Sequence, residues 1–273
     1  MFQLPAKKSL GQHFLVDPKK HVRIVEAVAP KEGDVVIEIG PGTGLLTRHL
    51  LSSPLEKLIA YELDARVVPE LREMFRSEGE RLEIKEQDFL QADLIELSKI
   101  EARKLRVVGN IPYYITSPIL FKLIDEREAV SDATLLIQLE VAERLTASPR
   151  TKEYGIPTVL ANFFGEVKLM FRVPRGAFRP VPNVDSALVS IDFSRDYFTR
   201  TGIPKPPDFD EAHFRKLVRA LFAMRRKTVR NNLKAFVSAE TMERLESADT
   251  ARFLTARAEE FSIQDFLELT QAV

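Results

Sequence analysis

The chain has 273 residues, 45% hydrophobic and 29% charged, the ordinary balance of a soluble globular protein, and its lack of cysteine excludes disulfides and cysteine–metal sites. Forty basic and forty acidic residues cancel, so net charge by itself argues mildly against a nucleic-acid binder. The N-terminal stretch lacks the apolar run of a secretory signal, and no segment approaches the roughly 18 apolar residues of a membrane helix, so a cytoplasmic protein without membrane contact is expected.

Residues 1–16 read as an extended arm. Asp17-Pro18 then marks a helix start, with Asp as cap, Pro in the first turn, and Val22, Val25 and Val28 following at helical spacing. The run VVIEIG after Gly33-Asp34 is a short buried strand. Further strands are predicted at Lys57–Glu62 and at 82–85, 106–109, 133–139, 167–173 and 187–193. Helical patterns fall at Leu45–Leu51, 65–76 and 118–126. Strands alternating with helices of this length give an α/β fold with a mostly parallel, Rossmann-like sheet. The last two strands are joined by the proline-rich loop VPRGAFRPVPNVDS instead of a helix, which predicts an antiparallel pair at the sheet edge. After Phe193 comes a stretch with Pro204, Pro206 and Pro207, and residues 210–273 hold neither proline nor glycine. Two domains are expected: a catalytic domain over 1–195 and a small all-α domain over 208–273, with a linker at 196–207.

The strand VVIEIG runs into Gly40, Gly42 and Gly44 before a helix. Glycines there let the backbone turn tightly and approach a ligand. A dinucleotide fingerprint would place its third glycine at position 45, which is Leu, so a nicotinamide oxidoreductase is disfavoured. Glu62 ends the next strand, where a carboxylate can accept from both ribose hydroxyls. Asp88 follows the third strand, where a short acid can take an adenine amino group. Alone, Glu62 is equally a surface acid, and Asp88 a helix cap. In order, they form the acceptor set an adenosyl ligand needs, and the pattern resembles the Class I S-adenosylmethionine methyltransferases.

The fourth strand ends in Asn110-Ile111-Pro112-Tyr113. The exocyclic amine of adenine is a poor nucleophile because its lone pair is delocalised into the ring. Acceptors on both N–H bonds, the Asn110 side-chain oxygen and a backbone carbonyl near Pro112, would draw the nitrogen toward tetrahedral geometry. Tyr113 would offer a stacking surface to the extracted base. This chemistry needs no metal, and no metal site is expected. Asn and Pro also favour plain turns, the competing reading of the same four residues.

K-K-S-L-G-Q-H-F-L, E-I-G-P-G-T-G-L-L-T, N-I-P-Y-Y-I, A-F-R-P-V-P-N-V-D-S-A, R-R-K-T-V-R-N-N-L and the final R-A-E-E-F-S-I-Q-D-F-L-E-L occur in order from about residue 7 onward. Together they resemble the rRNA adenine N6-dimethyltransferase family, and in particular its bacterial small-subunit branch. The resemblance implies dimethylation of two adjacent adenosines in the hairpin loop near the 3′ end of 16S rRNA, within the immature small subunit, by a monomer using S-adenosylmethionine. It also implies cofactor contacts at His13, Leu15, Gly40, Glu62, Asp88 and Asn110. Family members often carry Asn where this chain has His13. Phe178 matches the family's second aromatic and is expected to face Tyr113 and sandwich the target base; the alternative is a core phenylalanine.

Residues 212–239 contain eight Lys/Arg and no acid. Arg226 and Arg230, four apart on an expected helical face, with Arg225, Lys227 and Lys234 beside them, are candidate phosphate contacts. Arg172, Arg175 and Arg179 around Phe178 would extend that surface. A large-subunit rRNA methyltransferase and a non-catalytic RNA-binding module remain as rival readings; the intact glycine turn and Asn110–Tyr113 weigh against the second.

Overall fold

Asp17 caps the first helix, α1 (Pro18–Val28), its side chain accepting the Lys19 N–H at 2.9 Å with Pro18 in the first turn. The computed structural model describes residue 7, residues 11–247 and residues 249–273, so most of the expected arm lies outside the described residues. The part that is described pairs with the chain. Phe14–Leu15 (β1) lies antiparallel to Phe178–Arg179 (β8), with Leu15 opposite Phe178.

The main sheet has seven strands: β2 (Val35–Ile39), β3 (Lys57–Glu62), β4 (Leu82–Glu86), β5 (Leu105–Asn110), β6 (Val130–Gln138), β7 (Glu166–Val173) and β9 (Ser186–Asp192). Their order is β4-β3-β2-β5-β6-β9-β7. The run from β4 to β6 is parallel, and every residue of β2 is buried, as strands covered on both faces require. The expected antiparallel pairing lies at the far edge. The reversed strand is β9, inserted between β6 and the outermost β7.

Helix α2 (Leu45–Leu51) matches its expected span, whereas α3 (Val68–Met74) is shorter than 65–76 because the chain tightens into 3-10 turns from Arg76. Two more helices, α4 (Leu94–Ile100) and α5 (Thr116–Asp125), complete the crossovers. The first has too few periodic positions to stand out in sequence; Asp93 caps it through the Glu96 N–H at 2.8 Å.

The described chain divides into two compact units: the chain up to Ala142 with Gly165–Ser194, and Glu143–Phe164 with Arg195–Val273. Residues 143–164 therefore join the helical unit, although the sequence boundary near 195 places them in the first domain. The helix Ile156–Phe164 buries Val159, Leu160, Phe163 and Phe164, and Phe163 meets Phe214 at 4.2 Å between ring centres. Local pattern alone does not say which of two cores a short apolar helix enters. The expected linker is also partly ordered within this unit. Asp196 caps the helix Tyr197–Thr201, and the Tyr197 hydroxyl donates to Gln264 Oε1 at 3.1 Å. Phe214, Leu217, Val218, Leu221 and Phe266 form the unit's fully buried centre. No described helix is long and apolar enough to cross a membrane.

Candidate active site

The carboxyl ends of β2, β3 and β5 open onto a cleft of about 780 Å³, open solvent at its mouth included, lined by Gly40, Glu62, Asp88, Asn110 and Tyr113 together with arm residues from Gly11 to Phe14. Ligands of open α/β sheets bind at this edge because strand ends and helix starts leave backbone groups free there.

The glycine turn shapes one wall. Gly40 has φ +67°, and a Cβ built on it would meet nothing within 4 Å, so the space beside the backbone is open to a ligand. Gly42 donates its N–H to Glu62 Oε2 at 3.0 Å, while the Asp64 N–H donates to Oε1 at 2.8 Å. Glu62 is only 5% exposed. Burial pushes its carboxyl above the usual range, the Asp64 charge adding, while the backbone N–H groups of Asp64, Gly42 and Leu63 pull it back. Each oxygen keeps a lone pair for a further donor. Gly44 serves differently. It starts α2 at φ +74°, and a Cβ there would stand 2.9 Å from the Phe75 ring, so it is a packing glycine and does not line the cleft.

Asp88 lines the cleft while capping the turn at Phe89, its Oδ1 accepting the Leu90 N–H at 2.9 Å. The cap uses Oδ1 and leaves Oδ2 without a hydrogen bond among the described residues. Leu15 is buried in the hydrophobic core and lines a smaller adjoining cavity with Glu38, His21 and Gly40. Glu38 stands two residues before Gly40 in the run VVIEIG. It is 1% exposed and its Oε2 has no hydrogen-bond partner. Burial pushes its carboxyl up to about 8, Thr47 opposing and the Glu62 charge adding.

Across the cleft, Asn110 donates Nδ2–H to the His13 carbonyl at 2.8 Å. This orients the amide and leaves Oδ1 without a donor among the described residues. The Pro112 carbonyl accepts the Ile115 N–H at 3.1 Å, which uses one of its two lone pairs. The Tyr113 hydroxyl shares a hydrogen bond with Ser186 Oγ at 3.0 Å, and burial holds this phenol above its ordinary pKa. The imidazole of His13 stacks on Tyr113 with ring centres 5.6 Å apart and planes at 24°. Its Nδ1 lies 2.8 Å from the Pro180 carbonyl, which can only accept, so Nδ1 carries the proton.

Phe178 corrects the sequence reading. It is 0% exposed, sits in the core with Leu15, Val173 and Leu188, and does not line the cleft. Its pairing opposite Leu15 on β1 turns the ring into the sheet's packing layer, leaving no face for a base. His13 is the ring that meets Tyr113.

The basic residues also separate. Arg225 and Arg226 lie in a turn after the helix Glu211–Phe222, and Arg230 belongs to the next helix, Val229–Leu233, so the shared helical face does not exist. Arg225 binds Glu259 at 2.7 Å and the carbonyls of Thr151 and Lys152, and Arg230 binds Glu246 at 2.6 Å. The side chains of Arg226, Lys227 and Lys234 are exposed and make no hydrogen bond or ion pair among the described residues, although the Lys227 backbone N–H donates to the Met224 carbonyl. Arg175 and Arg179 reach carbonyls of their own loop at Asn183, Gly176 and Phe178, and Arg172 stands on β7 opposite Ala187.

Residues 3–272 match the family described as ribosomal RNA adenine dimethylase. The chain belongs to that family. Two relatives called ribosomal RNA small subunit methyltransferase A are similar along their length. That of Chlorobium phaeobacteroides is 44% identical, covering 98% of this chain and 93% of the relative, and that of Ligilactobacillus salivarius 40%, covering 100% and 91%. Among solved structures, a dimethyladenosine transferase from Plasmodium falciparum superposes with a TM-score of 0.77 at 27% identity, over 94% of this chain and 96% of that one. The 23S rRNA methyltransferase ErmE superposes at 0.65 and 27%, over 95% and 98%. As a ribosomal RNA adenine dimethylase, the chain is an RNA methyltransferase that uses S-adenosylmethionine. The residues present fit that donor. Open space beside Gly40, two half-satisfied Glu62 oxygens and the unpartnered Glu38 Oε2 are what an adenosyl amino acid would engage.

Proposed function

We propose that this dimethylase converts two adjacent adenosines in the 3′-terminal hairpin loop of 16S rRNA to N6,N6-dimethyladenosine, acting as a cytoplasmic monomer on the immature small subunit. The observation that carries the reading is the Asn110 amide, held by the His13 carbonyl so that its oxygen is left for a substrate N–H at the edge where Glu62 and Gly40 stand.

When bound, S-adenosylmethionine supplies a methyl group already activated by its sulfonium. Asn110 Oδ1 accepts one N6–H of the target adenine, and the second lone pair of the Pro112 carbonyl accepts the other. Those two acceptors pull the nitrogen out of conjugation and orient its lone pair. Tyr113, fixed by Ser186 and His13, stacks the base, which offsets part of the few kcal/mol that extraction costs. Glu62 takes the ribose hydroxyls and Asp88 the adenine amino group of the donor. Exposed Arg226, Lys227 and Lys234 neutralise phosphates, and the relatives' shared name favours small-subunit over large-subunit RNA.

Tritiated S-adenosylmethionine incubated with unmethylated immature small subunits tests this. The expected product is labelled N6,N6-dimethyladenosine from the 16S 3′ hairpin. Label confined to large-subunit RNA, or none, overturns the proposal.

A further inference from the structure

Two consecutive tyrosines leave β5 with opposite fates. Tyr113 turns inward, its hydroxyl on Ser186 and one ring face against His13. Tyr114 lines the same cleft but is 58% exposed. Among the described residues no ring stacks on it and its hydroxyl makes no hydrogen bond. Folding alone gives no reason to hold a large apolar ring in solvent at the mouth of a substrate cleft.

The ring is nevertheless held in place. Its edge lies against Gly11 of the arm, where a Cβ would stand 3.1 Å from Cδ1 and 3.3 Å from Cε1. Gly11 also has φ +56°, so the arm passes the ring closely only because this residue has no side chain. Tyr114 is therefore buttressed at one edge and bare over most of its surface.

We infer that Tyr114 is a second nucleobase subsite, stacking the purine next to the target adenosine; this rests on the proposed action on two neighbouring adenosines. Extracting one base strips its neighbour of a stacking partner, and single-stranded bases find new partners on tyrosine rings. Adjacent tyrosines, with Cα atoms about 3.8 Å apart, present rings on two sides of one turn and can serve two consecutive bases that no longer stack on each other. The exposed Arg179, one residue from the Pro180 carbonyl that holds His13, is placed to meet backbone phosphate near the same mouth.

The test uses the full chain and small subunits rebuilt with a synthetic 3′ rRNA hairpin, in which the neighbour of the target adenosine is either present or abasic. Tyr114→Ala is expected to bind the intact particle about 10-fold more weakly than wild type, Tyr114→Phe to bind it nearly normally, and all three to bind the abasic particle alike. A wild-type thermal midpoint for Tyr114→Ala, with the Phe variant as control, keeps misfolding apart from lost stacking. An equal loss on both particles, or no loss on either, overturns the subsite. Failure of the wild-type chain to methylate the intact particle removes the parent reading, and the subsite with it.

Discussion

The two walls of the cleft are built in different ways. The wall proposed to hold the cofactor, Gly40 to Gly42 with Glu62 and Asp88, is assembled from backbone N–H groups and acids at consecutive strand ends. The wall proposed to hold the base, Asn110 to Tyr113, gets its geometry from residues far away in sequence: His13 for the Asn110 amide and the Tyr113 ring, and Ser186 for the Tyr113 hydroxyl. One wall follows from the sheet. The other exists only once the arm and the loop after β7 have docked, as the pairing of β1 with β8 and the bond from His13 to Pro180 require.

The largest expected effect separates the walls directly. Asn110→Ala should lower single-turnover transfer by about 10²–10³ while cofactor binding stays measurable by calorimetry. Turnover near wild type would remove Asn110 from its assigned role. Phe178 comes next. As a core ring, its change to Ala should cost about 3–5 kcal/mol in urea unfolding, whereas Phe178→Leu should cost on the order of 1 kcal/mol and keep transfer. A folded Leu variant as inactive as Asn110→Ala would restore Phe178 to the base wall.

Glu62→Ala should weaken S-adenosylmethionine binding about 10²-fold through lost charge-assisted hydrogen bonds, and leave particle affinity unchanged without cofactor. A parallel loss of particle affinity would mean the walls are not separable. A pH dependence is expected at Glu38 as well. Its folded carboxyl titrates near 8, above the unfolded range, so the folded state binds the extra proton and stability falls as pH rises from about 4.5 to about 8. Glu38→Gln should lose that component, so the variant gains on wild type across this window in denaturant midpoints at successive pH values. Parallel profiles would show that Glu38 titrates normally.

The α/β alternation, the glycine turn, Glu62 and Asn110–Tyr113 could all be read from the chain, because strand–turn–helix units and the acids at strand ends are local patterns of a few residues. Helix α2 and strand β3 fall where their periodicity puts them. Residues 143–164 join the helical unit, which the sequence does not reveal because the apolar helix Ile156–Phe164 within them does not say which core it enters. The Arg226–Arg230 face failed for a related reason: the helix stops at Phe222, where Asn232 turns in to donate to the Leu221 carbonyl at 2.8 Å and to accept the Met224 N–H at 3.2 Å, contacts eight to eleven residues away.

Residue types at strand ends, and hence the chemistry open to the cleft, were written in the order of the amino acids. Which aromatic faces Tyr113 was not. His13 and Phe178 lie 165 positions apart and on paired strands or beside them, and the choice between them rests on which side chain the β1–β8 pairing turns toward the core. Side-chain direction in an antiparallel ribbon depends on register, register depends on long-range packing, and only the folded chain supplies it.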